Sequence, residues 1–90
     1  MIIVDYNPFT QNGGVVIRFN DETNHPEGYI QTDSNIESLA EKTLEICETF
    51  NDFVVKFRHN LPDDYQEFCD LLAAKQRAFS SLFSIDVEEI

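Results

Sequence analysis

At 90 residues, 42% of them hydrophobic, the chain holds material for one domain with one core. Seventeen Asp and Glu oppose six Lys and Arg, a formal charge of −11, and both halves share it: −6 over residues 1–45 and −5 over residues 46–90. That balance excludes direct nucleic-acid binding and adhesion to anionic membrane, and no apolar run approaches the ~20 residues of a membrane span; it invites a basic protein instead.

The opening Met1 to Tyr6 has no basic n-region and no small-residue cleavage site, so a cytoplasmic location is expected. Ile2 to Tyr6, β-branched and aromatic, reads as a strand that either lies at an edge or ends before Pro8. Asn12-Gly13 signals a hairpin turn, since both central residues of a type I′ turn need positive φ. Val15 to Phe19 follows as the second strand, with Val15, Ile17 and Phe19 on one face and Val16 and Arg18 on the other. Residues 20–28 are rich in turn formers and read as a loop, and Tyr29 to Thr32 supplies a short third strand.

Ser34-Asn35-Ile36-Glu37 matches a capping box, and Ile36, Leu39, Ala40, Thr43, Ile46, Cys47 and Phe50 recur at helical spacing. A helix to about Phe50 is predicted. Phe53 to His59 alternates with period two, placing Phe53, Val55 and Phe57 inward and Lys56 and Arg58 outward. Asn60 to Asp64 opens a second helix, with Pro62 near its start and Lys75 and Arg77 toward its end. Tyr65, Phe68, Cys69, Leu72, Phe79, Leu82 and Phe83 form its apolar face. The tail Ile85 to Ile90 alternates weakly, as a last strand or a frayed end. The fold class is therefore α+β: a small antiparallel sheet of three or four strands with two helices on one face, in the order β-β-(β)-α-β-α. Cys47 and Cys69, both on apolar helix faces, read as reduced thiols.

Two acidic groups stand out. Glu37, Glu41, Glu45, Glu48 and Asp52 are spaced 4, 4, 3 and 4, which places all five on one face of the first helix. At ~1.5 Å per residue the stripe covers about 22 Å, a linear charge density of the order of one DNA strand. Solvated helix faces usually mix signs, because like charges at i,i+4 cost a few tenths of a kcal/mol each. Asp63, Asp64, Glu67 and Asp70 form the second group, of which the first-turn members suit the helix dipole. Arg18, Lys56 and Arg58 are expected on outward strand positions, as edge-protecting cations or as the face of a homodimer. Asp21, Glu22, His25 and Glu27 share a loop but lack the D-x-[DN]-x-[DN]-G pattern, so neither metal nor other cofactor is expected. No P-loop, G-x-G-x-x-G or G-x-S-x-G is present, and the chain reads as a non-enzyme.

In size, charge and helix-borne acidic rows such as Glu37 to Asp52, the chain resembles the phage-encoded DNA-mimic inhibitors, among them the anti-restriction proteins of T-even phages. That resemblance implies occupation of the DNA-binding groove of a restriction nuclease, polymerase, nucleoid protein or CRISPR complex. The alternative is an immunity or antitoxin-type protein masking a toxin's basic active site. Leu61-Pro62-Asp63-Asp64-Tyr65-Gln66-Glu67-Phe68 is similar to the helix opening of SUKH-type immunity proteins, although Asn12-Gly13-Gly14 precedes it here rather than following.

Overall fold

The computed structural model describes residues 1–9, 13–32, 35–59, 61, 63–78 and 84–90. Its elements are β1 (Ile2–Tyr6), β2 (Gly14–Phe19), β3 (Pro26–Thr32), α1 (Ile36–Phe50), β4 (Val54–His59), α2 (Asp64–Ala78) and β5 (Asp86–Glu89). The α+β class holds, with a larger sheet than expected: five strands in the order β3-β2-β1-β4-β5. It is mixed rather than antiparallel, because β1 pairs in parallel with β4, and β4 with β5. The tail is thus a strand. β1 is central, and it ends two residues before Pro8.

β3, β4 and β5 run in the same direction, and the β3-α1-β4 and β4-α2-β5 crossovers both step the same way across the sheet. Right-handed crossovers then deliver both helices to one face. The register agrees: Ile2, Val4, Tyr6, Val16, Val55 and Phe57 are buried on that face under Leu39, Ala40, Leu44, Cys47, Phe68 and Leu72. At the centre the Phe57 and Phe68 rings stack, with centroids 4.4 Å apart and planes 14° apart.

Two local expectations shift. Ser34 and Asn12 lie outside the described residues; the observed N-cap of α1 is Asn35, whose Oδ1 accepts the Glu37 N–H at 2.9 Å. Asn51 ends α1 in the left-handed conformation, φ 52°. β3 begins at Pro26, so the predicted loop gives up Pro26, Glu27 and Gly28 to an edge strand, where Pro26 needs no ladder donor. Phe79, Leu82 and Phe83, expected on the second helix, also lie outside the described residues.

The facing of β2 is reversed from expectation. Val16 is fully buried, whereas Val15, Ile17 and Phe19 look away from the helices. Arg18 therefore points to the helix side, its guanidinium carbon 5.0 Å from the Phe50 ring centroid and its charge paired with Glu27 and Asp52. A guanidinium stacked over an aromatic ring and paired with two carboxylates lets the arginine occupy a partly buried position on the helix side.

Gly14, the first residue of β2, packs against Leu39 of α1. A Cβ there would lie 2.9 Å from Leu39 Cδ1 and 3.1 Å from Thr32 Oγ1. Gly14→Ala should cost about 1–3 kcal/mol by overpacking. Urea unfolding measures this, and an unchanged midpoint would mean that Leu39 yields freely.

Candidate functional site: the exposed carboxylate row of α1

α1 buries Leu39, Ala40, Thr43, Leu44, Ile46 and Cys47, which turns Glu37, Glu41, Glu45 and Glu48 to solvent. The Thr43 hydroxyl, buried among apolar neighbours, donates to the Leu39 carbonyl at 2.7 Å. Glu37, Glu41 and Glu45 keep about 60% of their side-chain surface exposed (63%, 60% and 59%). From Glu37 to Glu48 the row spans about 16 Å. Glu41, Glu45 and Glu48 rim a shallow depression of about 210 Å³ floored by Leu44.

Two cations reach the row, both at long range. Lys42 Nζ lies 3.4 Å from Glu45, and Lys75 Nζ, from the last turn of α2, lies 3.5 Å from Glu37 and 3.8 Å from Glu41. Exposed pairs of this kind are worth at most ~1 kcal/mol and weaken with salt. Lys75 also clamps α2 across the start of α1.

Asp52, predicted as the fifth member, does not belong to the row. It follows the Asn51 cap rather than continuing the helix, and its side chain is only 10% exposed. The carboxylate accepts from the Met1 ammonium at 2.6 Å and faces the Arg18 Nε at 3.4 Å. Its role is to neutralise an inward-facing arginine.

The second acidic group divides in the same way. Asp63, Glu67 and Asp70 are exposed, and Asp70 accepts from Gln66 Nε2 at 2.9 Å. Asp64, the first residue of α2, is buried at 8% exposure, and its Oδ2 makes no hydrogen bond. Its charge is felt by Tyr6, whose phenol pKa is raised by burial and then by Asp64 and Glu67. Asp64 therefore faces inward as the dipole-favoured first-turn acid, not outward to a partner. Eleven residues separate it from Lys75, so the acids that open α2 begin about 16 Å along the helix from the Lys75 junction.

Other titratable groups serve the fold. His59 Nε2 contacts Glu89 Oε1 at 2.5 Å, and Nδ1 contacts the Leu61 carbonyl at 2.7 Å, tying β4 to β5. Burial opposes its protonation, but the Glu89 hydrogen bond, the Leu61 carbonyl and the Glu89 and Asp64 charges together raise its pKa above the ordinary 6.5. Cys47 and Cys69 are free thiols, and burial pushes Cys47 up to about 12. Asp21 accepts from the Met1 ammonium, and Glu27, in β3, pairs with Arg18. No group of three metal-ligating side chains gathers among the described residues. No helix among them is long and apolar enough to cross a membrane.

Searches against protein-family models, curated proteins and solved structures find no match to this chain. The site is therefore read from its own chemistry.

Two stability measurements check this geometry. The adjacent like charges of the row should make Glu41→Gln, Glu45→Gln and Glu48→Gln together stabilise the free domain by about 0.5–1.5 kcal/mol at low salt; destabilisation would show that Lys42 and Lys75 outweigh the repulsion. His59, whose folded pKa is raised, contributes stability that is full below the unfolded value near 6.5 and lost as pH rises through the folded value. The stability gap between the native protein and His59→Gln should narrow from about pH 6.5 upward, as the imidazole deprotonates. A gap that widens contradicts the assignment.

Proposed function

We propose that the chain is an acidic binding domain that inhibits a DNA-handling protein by laying the α1 carboxylate row into its basic groove. The observation that carries the reading is the row itself: Glu37, Glu41, Glu45 and Glu48 exposed on one face of a capped, well-packed helix. The core beneath fixes the helix backbone, so the spacing of the carboxylates is set before binding and only their side-chain rotamers remain to be ordered. One carboxylate every ~5 Å approaches the ~3.4 Å phosphate repeat of a single DNA strand, so a groove built for phosphates finds comparable charge. The protein's own −11 charge supports the same reading, since it repels nucleic acid and accelerates encounter with basic surfaces. Asp63, Glu67 and Asp70 add exposed charge on α2, while Asp52 and Asp64 are left out of the contact.

The reaction required of such a protein is displacement, not bond-making. Its effect is steric: while the row occupies the groove, duplex DNA is kept out. The chain is then no enzyme, and a bacterial cytoplasm is where its target would be met.

Affinity capture from a bacterial lysate, with and without excess duplex DNA, tests the class. Enrichment of DNA-handling proteins that disappears with the duplex is expected. Recovery of a single partner indifferent to DNA would instead favour toxin masking. For the captured partner, the Glu41→Gln, Glu45→Gln, Glu48→Gln variant should bind at least about tenfold more weakly, some 1.4 kcal/mol. Affinity within about twofold of the native protein would reduce the row to a solvated helix face.

A further inference from the structure

Among the described residues, no helix or strand covers the sheet face opposite the helices. Across it Tyr29, Ile17 and Ile3 stand side by side on β3, β2 and β1, with Val15 and Val54 beside them. Tyr29 is 56% and Val54 44% exposed. Lys56 continues the row on β4, and Arg58 Nη1 lies 3.6 Å from Asp5 across the β1–β4 pair.

We infer that this bare sheet face is the docking surface for a second copy of the chain, packed back to back. Charge selects the occupant. Outward-facing strand positions hold three carboxylates (Asp5, Asp86, Glu88) and two cations (Lys56, Arg58), so ten of the eleven net negative charges lie elsewhere. It is therefore the face on which two copies repel least. The molecule measures 31 × 31 × 20 Å, the short dimension matching one sheet and one helix layer. In a back-to-back pair the acidic helices sit on opposite outsides, separated by several times the ~8 Å screening length of physiological salt. Edge-to-edge pairing is disfavoured: β5 is four residues long and carries Asp86, Glu88 and Glu89, while β3 begins at Pro26 beside a register shift.

Area sets the strength. Five strands at ~4.8 Å spacing and about 18 Å length cover roughly 430 Å² per copy, about half the ~800 Å² per partner of a standard interface. The pair should therefore be weak and concentration-dependent. It owes nothing to the α1 carboxylates, so it stands or falls apart from the proposed inhibition.

Sedimentation velocity from about 5 to about 500 μM spans the range expected of so small an interface. A shift from monomer to dimer is predicted, and added salt should strengthen it by screening like charge. Ile17→Glu should weaken the dimer at least about tenfold, with Tyr29→Glu, at a half-exposed edge position, as the variant least able to disturb folding. Glu45→Gln, on the far side, should leave it unchanged. A monomer throughout the range, or a dimer indifferent to both sheet substitutions in folded protein, overturns the inference.

Discussion

The direction of two crossovers governs this molecule. β3, β4 and β5 are parallel, and the chain passes from β3 to β4 and from β4 to β5 in the same sense across the sheet. Right-handed connections then leave no choice of side, and α1 and α2 stack on the same face. The core forms beneath them, with the stacked Phe57 and Phe68 at its centre. Among the described residues, no element covers the other face. α1, buried along Leu39 to Cys47, turns its glutamates to the outside of the helix layer, as far from the bare sheet as the fold allows.

Charge follows the same division. Of the carboxylates that face inward, Asp52 is paired with Arg18 and the Met1 ammonium, while Asp64 lies in the first turn of α2 with its Oδ2 unpartnered. Among the described residues, the carboxylates that face outward on α1 have Lys42 and Lys75 within reach, each at 3.4 Å or more. The row is thus a standing electrostatic strain, small per pair and only partly offset by these two cations. Such strain is relieved when a basic surface arrives, which is the physical sense of the proposed inhibitory role.

Much of this was legible in the sequence, for reasons that also explain the failures. β1, β4 and α1 were readable to within two residues because their apolar periodicity is strong, with Pro8 just after β1 and a capping-box pattern at the start of α1, although the cap observed there is Asn35. β2 was misread in its facing, because Val15, Val16 and Ile17 suit either side and the one polar residue pointed the wrong way. Arg18 is inside because Phe50 and Asp52 await it there, and both lie more than thirty residues on. The parallel β1–β4 pairing is likewise non-local and leaves no trace in a hairpin signal. Asp52 kept the helical spacing but not the helix, since Asn51 turns the chain one residue earlier. Asp64 shows the converse: a first-turn acid that the spacing leaves free to face outward is buried instead.

Amide shift mapping tests the central claim most directly, with the isotope-labelled domain titrated by its captured basic partner. The account predicts the largest changes along the outer face of α1, at Glu41, Glu45 and Glu48, with Ile17 and Tyr29 on the sheet unmoved. Changes centred on the sheet face, with α1 silent, would contradict it.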